Sequence, residues 1–152
     1  YYREYYEEKG MFENEVYPGI KQLLRDLIKQ GVLCLVATSK PEIYSKKILD
    51  YYELSNYFYY IAGANMDGTR TDKAEVIAYA LKQIPAEYSN KKVLMVGDRS
   101  HDIIGAKKNG IDCAGVLFGY GSREELEEAG DDFVDDSLEA VRNIVFLNAA
   151  KN

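Results

Sequence analysis

The chain has 152 residues, 47% of them hydrophobic and 29% charged, with a net charge of −6. That is one domain's worth of sequence with enough apolar side chains for a core, which excludes disordered, collagen-like and disulfide-stapled classes. No apolar run approaches the ~20 residues of a membrane span, and the acidic balance argues against a non-specific nucleic-acid binder. Neither a membrane nor a nucleic acid is therefore expected as a partner. Cys34 and Cys113 each sit in an apolar stretch and read as buried, reduced thiols, which points to a cytoplasmic setting.

In chain order, residues 1–9 read as a tyrosine-rich helix ended by Gly10. Pro18-Gly19 opens a helix in which Ile20, Leu23, Leu24, Leu27 and Ile28 fall on one face, stopped by Gly31. Val32–Ala37 is a continuous apolar run, expected as a strand buried on both faces. Pro41 reads as the first residue of the next helix, and Tyr57–Ala62 as a second strand. Asp72 and Glu75 make a capping box for a helix through Ile84. Lys92–Val96 is the third strand, followed by a helix that stops at Asn109-Gly110. Cys113–Phe118 is a fourth strand, Ser122 and Glu125 cap a short helix, Phe133-Val134 is a short edge strand, and Ser137 starts a last helix. This alternation predicts right-handed βαβ units and an α/β fold, a Rossmann-like three-layer sandwich around a parallel sheet. In such sheets ligands bind beyond the carboxyl ends of the strands.

Three strand-end features follow from that rule. Thr38-Ser39-Lys40-Pro41 places hydroxyls and backbone N–H groups at a helix start, where either a phosphate is bound or the hydroxyls cap the helix. Lys73 stands in the first turn of a helix, against the dipole, either as a solvated lysine or as a point charge for phosphate. The third strand runs into Gly97-Asp98-Arg99-Ser100-His101-Asp102. Its two carboxylates are either a hard-cation site or an N-cap with a first-turn dipole partner. His101, the one histidine, reads as a peripheral polar residue, and the eight carboxylates between Glu124 and Asp136 as a solvated face. No P-loop or dinucleotide fingerprint is present.

Taken together, the strand ending in Thr38-Ser39, then Lys73, then GDRSHD (97–102), resemble motifs two, three and four of the haloacid dehalogenase-like hydrolases. VYPGIKQLLRDLIKQG (16–31), ATSKP (37–41) and GYGSREEL (119–126) are most similar to the phosphoglycolate phosphatase-like branch. The resemblance implies a HAD-like core over residues 16–152, with 1–15 as the tail of a helical cap. It also implies a magnesium-dependent phosphatase acting on a small phosphorylated metabolite through an aspartyl-phosphate. Thr38 and the Ser39 N–H would then bind the phosphoryl group, and Lys73 would balance its charge. Asp98 would bind Mg²⁺, and Asp102 would support Lys73 or a metal-bound water. All of these residues would converge on one sheet rim.

The family's first motif, DxDGT on the central strand, is absent before Val16. The chain by itself is therefore expected to lack the nucleophile and to be inactive. The strands near Val32 and Val93 are expected either to close up or, as favoured here, to leave a gap. Asn65-Met66-Asp67-Gly68-Thr69 imitates the motif with an amide in the nucleophile's place and reads as a polar turn. A non-catalytic phosphate- or partner-binding α/β module is the alternative, and a receiver-like domain a weaker third. The sequence specifies neither the substrate nor the oligomeric state.

Overall fold

A computed structural model describes residues 19–116, 122–130 and 133–135, the last three by backbone alone. The expected N-terminal helix and cap tail (1–15) lie outside these residues, as do the far end of the fourth strand (117–118) and the helix after Ser137. The chain divides into two compact units, Tyr1–Asp72 and Lys73–Asn152.

In the first unit, α1 (Ile20–Lys29) buries Leu23, Leu24 and Leu27 of the predicted face, while Ile20 is half-buried and Ile28 exposed. Gly31 follows at φ 81°, a left-handed conformation that ends helices at low cost when the residue is glycine. β1 (Leu35–Pro41) pairs in parallel with β2 (Tyr60–Ala64), and α2 (Glu42–Tyr51) connects them. Four expectations are corrected here. β1 starts three residues later than the apolar run and stays extended through Thr38-Ser39-Lys40, with Pro41 opposite Ala64 across a register shift. Pro41 is therefore the residue before the helix, with φ −55° and ψ 133°, not its first helical residue. Leu35, Val36 and Ala37 are half-buried instead of buried on both faces. β2 also starts later than expected, because Ser55–Tyr57 closes a short 3₁₀ turn first.

In the second unit, α3 (Lys73–Lys82), β3 (Leu94–Gly97), α4 (Ser100–Lys108), β4 (Asp112–Val116), α5 (Arg123–Glu128) and β5 (Phe133–Asp135) follow in order. β3, β4 and β5 form one parallel sheet in that order. Its core joins Ile103 and Ala106 of α4, Cys113 of β4 and Leu126 of α5, with Met95, Ile111 and Ala129 packed around them. Asn109 and Gly110 end α4 as expected, the glycine at φ 70°. Ser122 caps α5, its hydroxyl accepting the Glu125 N–H.

The described strands thus make two sheets, β1–β2 and β3–β4–β5, and no ladder joins β1 to β3 among the described residues. Both cysteines are free, with Cys113 buried and Cys34 half-buried. Burial pushes the Cys34 thiol above its ordinary range, which keeps it protonated and unreactive. No helix among the described residues is long and apolar enough to cross a membrane. Leu126 is fully buried in the core of the second unit. Leu126→Ala should therefore destabilise the protein by about 2–5 kcal/mol, read as a lower urea midpoint. A change below about 0.5 kcal/mol would mean that α5 does not close this core.

Candidate functional site at the strand ends

β3 delivers the backbone to a turn whose organiser is Asp102. α4 begins at Ser100, so Arg99 holds the N-cap position and Asp98 lies one residue outside it. This corrects the reading of Asp98 as the N-cap. Asp102 stands at the third helical position, nearly fully buried, and its Oδ2 accepts the backbone N–H groups of Asp98 at 3.0 Å and Arg99 at 3.2 Å. Those N–H groups precede the helix and have no intrahelical acceptor, so the carboxylate satisfies them and fixes the turn. Gly97 is buried beneath it: a Cβ there would lie 2.3 Å from the Asp102 Cβ and 2.5 Å from Oδ2. Only a residue without a side chain lets the carboxylate fold back over the end of the strand.

The other oxygen of Asp102 meets Lys73. Oδ1 lies 2.8 Å from Lys73 Nζ, with the two side chains 5% and 11% exposed. It is a charge contact rather than an aligned hydrogen bond, since buried Oδ1 has no hydrogen-bond partner. The lysine that stands against its own helix dipole is thus compensated by a carboxylate from the first turn of the next helix. His101 is exposed, with Nε2 3.8 Å from the same oxygen, at the margin of the pair. Asp98 is half-buried at the carboxyl end of β3.

Glu125 is a member of this group that its sequence pattern concealed. It reads locally as the third residue of a capping box. Its Oε1 also accepts hydrogen bonds from Arg99 Nε at 3.1 Å and Ser100 Oγ at 3.2 Å, tying α5 to the Asp98 turn. No local signal could have paired positions 25 residues apart. Burial alone would raise the Glu125 carboxyl, but the Arg99 and Ser100 contacts outweigh it and hold the group below its ordinary range.

Thr38 and Ser39 belong to the first unit, at the end of β1. Thr38 Oγ1 accepts the Lys40 N–H at 3.2 Å, and Pro41 at the start of α2 has no side-chain cap. The hydroxyl therefore folds onto the backbone of its own strand and does not cap the helix, and its proton can still be donated. Behind it, Glu42 Oε1 accepts the Gly63 N–H at 3.1 Å and lies 3.5 Å from Arg70 Nη2, while Arg70 Nε donates to the Gly63 carbonyl at 2.9 Å. Arg70 holds φ 52° in this latch, an uncommon conformation for a residue with a side chain. The Asn65–Thr69 segment is a self-contained polar turn. Asp67 accepts from the Thr69 N–H and hydroxyl, and these bonds hold its carboxyl below the ordinary range.

Two outcomes follow. Lys73→Met leaves a buried carboxylate without its countercharge and should cost about 3–5 kcal/mol, measured by chemical denaturation. A loss under 1 kcal/mol would show the pair to be solvated. The folded Glu125 carboxyl titrates below its unfolded value, so its contribution is present above the ordinary glutamate range and disappears as pH falls through the lowered folded value. Carboxyl ¹³C NMR should place its midpoint below that of an exposed glutamate, and Arg99→Ala should move it back up. A midpoint that Arg99→Ala leaves unmoved would contradict the assignment.

Residues 1–116 match the family model described as haloacid dehalogenase-like hydrolase. A 5′-nucleotidase of Pseudomonas aeruginosa is 38% identical over 147 residues, which are 95% of this chain and 65% of that protein. A phosphoglycolate phosphatase of Vibrio cholerae is 27% identical over 146 residues, 96% of this chain and 64% of that protein. The chain thus spans less than two thirds of the length of either relative. The crystal structure of a predicted phosphatase from Clostridium acetobutylicum superposes with a TM-score of 0.87 at 42% identity, covering 95% of this chain and 66% of that one. With this family match over residues 1–116, these relatives and its βα order, the chain belongs to the haloacid dehalogenase-like hydrolase family.

Proposed function

We propose that this chain is the larger part of a magnesium-dependent phosphatase that hydrolyses a small phosphorylated metabolite, phosphoglycolate-like in size and charge, through an aspartyl-phosphate. The observation that carries the reading is the buried Lys73–Asp102 pair beside the Asp98 turn. It holds a cation and a carboxylate at the carboxyl end of a parallel strand, where charged ligands bind in α/β sheets. The nucleotidase and phosphatase relatives support a phosphate monoester as substrate.

In this reading the Thr38 hydroxyl and the Ser39 N–H donate to the phosphoryl oxygens. Lys73, held by Asp102, balances the charge that builds on them. Such clamping of the equatorial oxygens is the larger catalytic term in phosphoryl transfer. The donor chemistry fits magnesium, which takes few carboxylates, keeps several waters and bridges to phosphate. The Asp98 carboxylate is the ligand this chain would supply, because Asp102 is occupied by Lys73 and two N–H groups. Among the described residues no cluster of three potential ligands exists, so further oxygens would come from elsewhere. Bound there, the ion supplies positive charge that neutralises the phosphoryl group.

The nucleophilic aspartate in this reading comes from a segment outside these 152 residues, since DxDGT does not occur within them. Residues 1–15 are then the tail of a cap and 16–152 the catalytic core. The protein is cytoplasmic and binds neither nucleic acid nor membrane.

The test is a side-by-side assay, with p-nitrophenyl phosphate and Mg²⁺, of the 152-residue chain and of the same chain extended upstream in its parent gene. The extended chain should turn over and the shorter one should not. In the extended chain Asp98→Asn should lower kcat about 10²–10³-fold and raise the Mg²⁺ requirement, and His101→Ala should do far less. Robust turnover by the 152 residues alone would overturn the nucleophile assignment and point to Asp67 or Asp98. Silence of both, with phosphate binding intact, would favour a non-catalytic phosphate-binding module.

A further inference from the structure

We propose that Gly105 and Asn109 are positioning residues that set the place of the Lys73 ammonium, an inference that rests on the role of Lys73 proposed above. Asp102, Gly105 and Asn109 are spaced i, i+3, i+7 and so lie along one face of α4. All three meet the first turn of α3. Asp102 pairs with Lys73 at 2.8 Å. At Gly105 the backbones of the two helices approach closely: a Cβ there would lie 3.1 Å from the Ala74 nitrogen, 3.3 Å from its Cα and 3.0 Å from Ile77 Cδ1. Asn109 Nδ2 donates to the Ala74 carbonyl at 3.0 Å and to the Gly105 carbonyl at 2.9 Å.

Ala74 is the residue after Lys73. The stripe therefore grips the backbone of Ala74 on both sides of its Cα, the nitrogen against Gly105 and the carbonyl under Asn109. A side chain at 105 would push α3 away by a few tenths of an ångström. Loss of the Asn109 donor would free the carbonyl. Either change displaces the lysine without altering its chemistry. The bond from Asn109 to Gly105 satisfies a last-turn carbonyl of its own helix, which any C-terminal cap does. The bond to Ala74 serves no such local need.

The experiment uses the full-length protein with Gly105→Ala, Asn109→Ala and Asn109→Asp, with Lys73→Met as reference and Leu54→Ala, buried in the first unit, as a core-destabilised control. Asn109→Asp keeps the shape and replaces the donor by an acceptor. The readouts are kcat, KM, the melting temperature and the Lys73 ¹⁵Nζ NMR cross-peak. A misplacement near 1 Å can cost about 10²-fold in rate. A displacement of tenths of an ångström should lower kcat about tenfold, with KM within about twofold and the Lys73 cross-peak shifted or broadened. Leu54→Ala should lower the melting temperature and leave kcat and the cross-peak unchanged. If Lys73→Met abolishes turnover while the stripe variants keep full kcat and an unmoved cross-peak, the positioning role is refuted and the phosphatase reading stands. If Lys73→Met leaves turnover intact, the protein is still a phosphatase but the role proposed for Lys73 fails, and a cross-peak unmoved by the stripe variants would then refute the placement as well.

Discussion

The buried contact between Lys73 and Asp102 is the constraint on which the rest of the second unit depends. Two charged groups this far from water are stable only together, because removing either leaves an uncompensated charge whose desolvation is not offset. Asp102 has a second task that multiplies the effect. The oxygen not facing Lys73 accepts the N–H groups of Asp98 and Arg99 and so shapes the turn at the end of β3. One carboxylate thus holds a cation from α3 and the backbone that carries Asp98. The close approach requires a bare Cα at Gly97, which links the identity of a strand residue to that of a helical one five positions on.

Around this centre the unit braces the same turn from outside. Glu125 reaches from α5 to Arg99 and Ser100, and the core of Ile103, Ala106, Cys113 and Leu126 fixes α4 and α5 against β4. The first unit follows the same logic with other residues. Glu42, at the start of α2, and Arg70, in the loop after β2, both bind the backbone of Gly63, so the segment that follows Thr38 and Ser39 is tied to the neighbouring strand. In each unit the polar chemistry sits where a parallel strand ends and a helix begins, on backbone held by side chains from another element.

Much of this was legible in the sequence, and the reason is periodicity. The spacing of Leu23, Leu24 and Leu27 defines α1, and the turn residues Gly31, Asn109, Gly110 and Ser122 end or begin helices where their conformational preferences place them. The strand ends slipped by two to four residues because apolar runs do not mark where pairing stops. Thr38-Ser39-Lys40-Pro41 looks like a loop by composition but remains extended beside β2. Among the site residues, Lys73 stood out because it stands against its helix dipole, and Asp98 and Asp102 because they follow the end of the third strand, where ligands bind. Glu125 and Asn109 did not, because each has a local role, one in a capping box and one at a helix stop, that accounts for its presence. Their second partners, Arg99 and Ala74, are tens of residues away and become visible only once the helices are packed.

The central claim, proposed above, is that Lys73, held by Asp102, is a phosphate-binding cation acting with Thr38 and Ser39 of β1. Titration of the full-length protein with orthophosphate in the presence of Mg²⁺, followed by NMR, tests it most directly. The Lys73 ¹⁵Nζ cross-peak and the Ser39 amide should shift together along one saturation curve, and Asp102→Asn should weaken both shifts in parallel. A saturable phosphate site that leaves Lys73 unmoved, or that perturbs Lys73 and Ser39 with different affinities, would contradict the account.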